Sequence, residues 1–225
     1  MISLENLTKN FDNKDVLLSL NYQFESGKIY GIVGENGAGK TTLFRCIAGL
    51  EKYAGKITGS KMPIKNDLGY LQAEFYAPSK ITGSEYIYLL TDARKVVLDK
   101  LSAKNIFDLP LDQYVSTYST GMKKKLALTA LLLQKNNFFI FDEPYNGIDL
   151  QSSIVFTAIL KRIKDAGKTI LISSHIFSTL KETCDEIILL ENCRFSQIVQ
   201  KPEFDQLEDL MKDKILAKNL KNFEF

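Results

Sequence analysis

The run Gly34-Glu35-Asn36-Gly37-Ala38-Gly39-Lys40-Thr41 has the spacing G-x-x-x-x-G-K-T. In that spacing the glycines let the backbone turn so that its N–H groups face inward on an anion. Lys40 supplies positive charge for the β- and γ-phosphates of a nucleotide, and the Thr41 hydroxyl is a ligand type suited to Mg²⁺. The chemistry needs a strand feeding the loop and a helix leaving it, because the N–H groups and dipole at a helix start complete the anion site. Ile29, Ile32 and Val33 supply a buried strand, and Thr42–Leu50 reads as a helix with Leu43, Phe44, Ile47 and Leu50 on one side.

A phosphate loop also needs a partner for its metal and a way to activate water. Phe138-Phe139-Ile140-Phe141 is apolar throughout and ends in Asp142-Glu143. Such a strand places its carboxylates at the C-terminal edge of a parallel sheet, where ligands of open α/β sheets sit. Asp142 can then hold the metal and Glu143 can polarise a water. The only histidine, His175, follows the apolar strand Thr169–Ser173 directly and falls at the same edge. A lone histidine is more often structural; this position makes it a candidate for the site. Tyr118-Ser119-Thr120-Gly121-Met122-Lys123 is a Ser/Thr/Gly turn opening a helix, which is either a plain N-cap or a second anion site.

The elements around these residues alternate. Residues 1–33 read as β-structure, with Leu18, Leu20, Tyr22 and Phe24 at the period of a half-buried strand. Short strands are expected near Lys56–Thr58 and Leu68–Leu71. Thr82-Gly83-Ser84-Glu85 has the form of a capping box, and Val96, Val97, Leu98 and Leu101 suggest a second helix, so residues 74–118 read as a mostly helical insert. Further on, a helix from Gly121, another over Ser152–Lys164, a short one over Ile176–Thr183 and a strand over Ile187–Leu190 are expected. The expected fold class is α/β, a parallel-sheet core covered on both faces with an antiparallel N-terminal β subdomain and a helical insert. Phe204–Leu220 reads as a charged, peripheral helix, which divides the chain into 1–200 and a tail over 201–225.

The chain has 225 residues, enough to bury a real core, and its net charge of +2 gives no argument for nucleic acid as the partner. Cys46, Cys184 and Cys193 are odd in number and widely spaced, which suits packed thiols in a reducing compartment better than disulfides. The start MISLENLTKNF has neither the basic residues nor the apolar run of a signal peptide, and the longest apolar stretch, around Ala127–Leu133, is too short to span a bilayer. Any membrane-spanning part is expected on another chain.

In order and spacing these motifs resemble those of the ATP-binding subunits of ABC transporters, over nearly the whole chain to about residue 200. Gly34–Thr41 matches the Walker A motif, Gln72 the Q-loop, Ser119–Met122 the signature, Phe138–Glu143 Walker B with its catalytic glutamate, Gly147-Ile148-Asp149 the D-loop, and His175 the switch histidine. Phe11 falls where the family stacks adenine, although an aromatic after a first strand could equally be core. The resemblance implies a P-loop ATPase with ATP and Mg²⁺. Glu143 and His175 would be catalytic. Phe11, Gly34, Glu35, Asn36, Gly37, Ala38, Gly39, Lys40, Thr41, Thr42, Gln72, Ser119, Gly121, Asp142 and Asp149 would hold the nucleotide, with Thr41, Gln72 and Asp142 around the metal. It further implies a head-to-tail dimer with a second ATPase subunit, identical or different, and a separate transmembrane permease. The subunit itself would be cytoplasmic, on the inner face of the membrane.

The chain departs from the family pattern in places. The signature reads YSTGM where LSGGQ is commonest, a form resembling type-2 exporters; Leu150 stands where a proline is usual, and Tyr145 where a small residue is. Thr120 adds a side chain where the helix end would approach phosphate. Among rivals, repair and chromosome ATPases separate these motifs with long coiled coils, and no heptad run is present here. Translation-associated relatives carry two such domains in one chain. A GTPase would need Asn-Lys-x-Asp after the phosphate loop, and Asn13-Lys14-Asp15 precedes it. A small-molecule kinase leaves the signature unexplained, and a regulator that binds nucleotide without hydrolysing it is separated only by ATPase activity.

Overall fold

The computed structural model describes residues 1–220; positions 221–225 of the expected tail lie outside the described residues. Strands β1 (Ile2–Phe11), β2 (Lys14–Phe24) and β4 (Ala54–Gly59) form an antiparallel sheet in the order β2-β1-β4. Strands β3 (Ile29–Val33), β5 (Leu68–Leu71), β6 (Phe138–Phe141), β7 (Thr169–Ser173), β8 (Glu186–Glu191) and β9 (Arg194–Gln200) form the second sheet, ordered β5-β6-β7-β3-β8-β9. Its pairs are parallel except β8–β9, which is an antiparallel hairpin.

Every residue of β3, β6 and β7 is buried, as expected of parallel strands covered on both faces. Their side chains divide with a period of two. Ile32, Ile140, Leu171 and Ile188 enter one core with Leu7, Leu17 and Leu20 of the antiparallel sheet. Helix α1 (Lys40–Ile47) buries Leu43, Phe44, Cys46 and Ile47 in that same core. Val33, Phe139, Phe141, Ile170 and Ile172 enter the other core, with Phe156 and Leu160 of α4 (Leu150–Asp165) and Leu180 of α5 (Phe177–Thr183).

A third core holds the insert. Helix α2 (Gly83–Asp92) starts on the expected capping box: Thr82 Oγ1 accepts from the Glu85 N–H at 3.2 Å, and Glu85 Oε2 accepts from the Thr82 N–H at 2.7 Å. Its Tyr86 and Ile87 meet Leu126 and Ala130 of α3 (Thr120–Leu133), whose Leu128 and Leu131 face the second core, so α3 ties the insert to the sheet.

The second helix expected around Val96–Leu101 does not form. Lys95 takes a left-handed φ of 55°, and the N–H groups of Val96 and Lys95 return to the Thr91 and Asp92 carbonyls. This is a Schellman closure with lysine at the position glycine usually fills, and the Val96 that follows is buried. Beyond it only short 3₁₀ turns occur, at Leu101–Lys104 and Val115–Thr117. Helix α6 (Phe204–Leu220) is anchored more firmly than a peripheral helix: Phe204 and Leu207 are buried in the second core, and Asp205 pairs with Lys181. The three cysteines are unpaired thiols, with Cys46 and Cys184 buried. Among the described residues no helix is long and apolar enough to cross a membrane.

Candidate active site

The loop between β3 and α1 is followed by Lys40, whose ammonium donates to the carbonyls of Gly34 at 2.8 Å and Glu35 at 3.1 Å. The lysine is thereby held across the loop whose N–H groups must face an anion. One residue on, Thr41 Oγ1 donates to Asp142 Oδ2 at 2.7 Å. Asp142 follows β6 directly and is 1 % exposed. A fully buried serine, Ser173 at the end of β7, donates to its other oxygen at 2.7 Å. The same serine oxygen accepts from the Glu143 N–H at 3.0 Å.

Glu143 takes a left-handed φ of 50°. Its Oε2 lies 2.9 Å from His175 Nδ1 and accepts from the His175 N–H at 3.3 Å. A carboxylate only accepts, so Nδ1 carries the hydrogen and Nε2 is left as the second polar atom of the ring. The glutamate is largely covered, with 17 % of its side chain exposed against 61 % for the histidine. From below, Lys124 Nζ donates to the carbonyls of Glu143 at 2.5 Å and Asn146 at 2.9 Å. Lys124 is buried, and loss of water around its ammonium pushes its pKa down. The lysine thus fixes both ends of the turn that carries Glu143.

Lys40, Thr41, Asp142, Glu143 and His175 therefore meet at the C-terminal edge of the parallel sheet. Phe11 is nearby but separate. It is 45 % exposed, which removes the core alternative, and it lines an open cavity of about 710 Å³ with Val16, Gly37 and Ala38. The Lys9 ammonium sits 4.3 Å from its ring centroid.

The remaining expected residues have other neighbours. Gln72, just past β5, is exposed and lines a groove with Phe75, Tyr86, Thr120, Lys124 and Asn146; the Leu71 carbonyl beside it accepts from the Asp142 N–H at 3.0 Å. Ser119 caps α3 by accepting from the Met122 N–H at 3.2 Å. A Cβ on Gly121 would stand 2.6 Å from the Gly147 carbonyl oxygen, so the signature turn lies flat against the turn before α4. Met122 packs on the core of the insert, which accounts for an apolar residue there. Asp149 caps α4 through the Ser152 N–H at 2.8 Å and pairs with Lys125 at 2.8 Å. The Lys125 contact holds its carboxyl well below the usual range. Sequence reasoning misses Ser173 and Lys124. The first shows only as a polar residue ending an apolar strand, and the second is one of three consecutive lysines.

The sequence model of the family described as ABC transporter matches residues 17–146, which hold the phosphate loop, the signature turn and Asp142-Glu143. The chain belongs to the ABC transporter family. It is 31 % identical over 212 residues to the ABC transporter ATP-binding protein NatA of Bacillus subtilis, covering 85 % of this chain and 86 % of NatA. It is 29 % identical over 231 residues to the lantibiotic transport ATP-binding protein SrtF of Streptococcus pyogenes, covering 96 % of this chain and 98 % of SrtF. Its fold superposes on a solved dimeric ATP-binding cassette, MJ0796, in a post-hydrolysis state bound to ADP and Pi. That match has a TM-score of 0.80 at 18 % identity, and covers 89 % of this chain and 99 % of the other. The protein is an ATP-binding subunit of the ABC transporter family, and its activity is ATP hydrolysis.

Proposed function

We propose that two ATPase subunits pair head to tail, with each ATP between the phosphate loop of one and Ser119 and Gly121 of the other. One observation carries this: Lys40, Thr41, Asp142, Glu143 and His175 converge at one sheet edge, while Gly121 lies against the Gly147 carbonyl and the Ser119 side chain bonds within its own turn, to the Met122 N–H. A second copy would bring its signature turn to the phosphates. The dimeric relative with bound ADP and Pi supports the arrangement.

Thr41 and Asp142 fit Mg²⁺: one hydroxyl and one buried carboxylate, both hard oxygens, would hold it. Bound there, the ion would neutralise charge on the β- and γ-phosphates. Lys40 would bind the same phosphates, and Phe11 would stack on the base. Glu143 would take the proton of the attacking water, held in place by His175 from one side and by the Lys124-braced turn from the other. Gln72 would join the nucleotide from its groove, and Asp149 would meet the partner copy.

Closing and reopening of the dimer would drive a separate transmembrane permease docked near Gln72 and the insert, with the subunit on the cytoplasmic face of the membrane. The signature variant supports an outward direction.

A complementation experiment tests the pairing. Lys40→Ala and Ser119→Arg should each abolish hydrolysis alone. Mixed in equal amounts, they should recover about a quarter of the parental rate. Half of the dimers then carry one site with an intact phosphate loop from one copy and an intact signature turn from the other. No recovery would reject a shared site between copies of this chain.

A further inference from the structure

The tight turn joining β8 to β9, Asn192-Cys193, belongs to none of the groups above, yet it borders them. Both residues are left-handed, at φ 48° and 63°. The turn is fastened to β2: the Leu18 N–H donates to the Cys193 carbonyl at 2.7 Å, and Cys193 Sγ donates to the Asp15 carbonyl at 3.2 Å. It is also fixed relative to the phosphate loop. A Cβ on Gly34 would lie 2.5 Å from the Leu190 carbonyl oxygen, so the start of that loop and the end of β8 are in direct backbone contact. Asn192 and Cys193 then close the same cavity that Phe11, Val16, Gly37 and Ala38 line. At about 710 Å³ that cavity is within the usual size of a small-molecule site.

On the reading that Gly34–Thr41 binds the phosphates of ATP, we propose that the Asn192-Cys193 turn is a wall of the base and ribose site, so that bound nucleotide covers Cys193. The phosphate loop anchors the charged end of the ligand, Phe11 gives the base an aromatic face, and the β8–β9 turn bounds it with an amide and a thiol. No strand or helix has to move for this, because the turn is already tied to β2 and to the loop.

Cys193 makes the proposal measurable on the unmodified protein. Cys46 and Cys184 are buried, and burial pushes their thiols up to about 11 and about 12. Cys193, half-buried, is the thiol open to a reagent. The full chain would be labelled with N-ethylmaleimide and the rate at Cys193 followed by mass spectrometry, alone, with ATP and Mg²⁺, and with inorganic tripolyphosphate. ATP binding would be measured in parallel by calorimetry.

At ten times the dissociation constant, ATP should slow labelling about ten-fold, as the free fraction falls. Tripolyphosphate, which fills the phosphate loop but has no base, should leave the rate within about twofold at the same saturation. Chain already labelled at Cys193 should lose affinity for ATP and keep it for tripolyphosphate. An unchanged labelling rate with ATP bound would overturn the proposal and leave the phosphate-loop reading intact. Equal protection by tripolyphosphate would overturn it too, by assigning protection to ordering of the loop. Absence of ATP binding by calorimetry would overturn both.

Discussion

Ser173→Ala removes one oxygen that serves two groups at once. That oxygen donates to Asp142 Oδ1 at 2.7 Å and accepts from the Glu143 N–H at 3.0 Å, with Ser173 and Asp142 both buried. Alanine occupies nearly the same volume, so no sizeable cavity forms and the loss is polar. A hydrogen bond to a charged group contributes about 1.5–3 kcal/mol, and a buried N–H left unpaired costs about 1–3 kcal/mol. The two losses share an atom and do not add in full, so about 2–4 kcal/mol is expected. At a urea m-value of about 3 kcal/mol per molar, the midpoint should fall by about 1 M. Turnover should fall as well, because the left-handed peptide of Glu143 loses the partner of its N–H, while Lys124 and the Asn146 N–H still hold its carbonyl. A displacement of about 1 Å at a base costs roughly 10² in rate. The assay is urea unfolding followed by circular dichroism, with phosphate release on the same preparation. A midpoint within about 0.2 M of the parent would show that the serine does not bridge these groups.

Lys40→Ala should abolish ATP binding by calorimetry, since the loop loses the ammonium held across Gly34 and Glu35; unchanged affinity would remove the loop as the phosphate site. His175→Ala should leave ATP binding nearly intact and lower turnover by about 10²–10³, through loss of the partner 2.9 Å from Glu143; a rate within about twofold of the parent would make the histidine a bystander. Gly121→Ala should push the signature turn off the Gly147 carbonyl and block ATP-dependent pairing while the isolated chain still binds ATP; normal pairing, read by sedimentation, would show that the turn tolerates displacement.

The all-apolar strands β3, β6 and β7 were legible because parallel strands buried on both faces leave no polar alternation, and each ends in the residues that make the site. The phosphate loop and Asp142-Glu143 were legible for the same reason: their chemistry is local in the chain. What was not legible depended on exceptions to local rules. Lys95 closes α2 in a conformation that glycine normally signals, so the periodicity of Val96 and Leu98 read as more helix. Strand β9 is an edge strand with most residues exposed, and its Asn192-Cys193 turn lacks the glycine that marks most tight hairpins. Ser173 and Lys124 act through contacts 31 and 19 residues away in the chain, which no spacing rule reveals.

On the proposed reading, Glu143 is the base of a site completed by a second copy. Glu143→Gln tests it most directly, in size-exclusion chromatography with light scattering, with and without ATP and Mg²⁺. Glutamine keeps the size of the side chain and leaves Asp142 with both of its hydroxyl partners. It is a far poorer acceptor of a proton, so a base contribution of about 10²–10⁴ in rate is lost. It also removes negative charge near the bound phosphates. ATP should therefore enter, stay and hold two chains together. The predicted result is a species of twice the chain's mass with ATP and Mg²⁺, and a single chain without them. A variant that remains a single chain at saturating ATP would show that two copies of this chain do not complete the site.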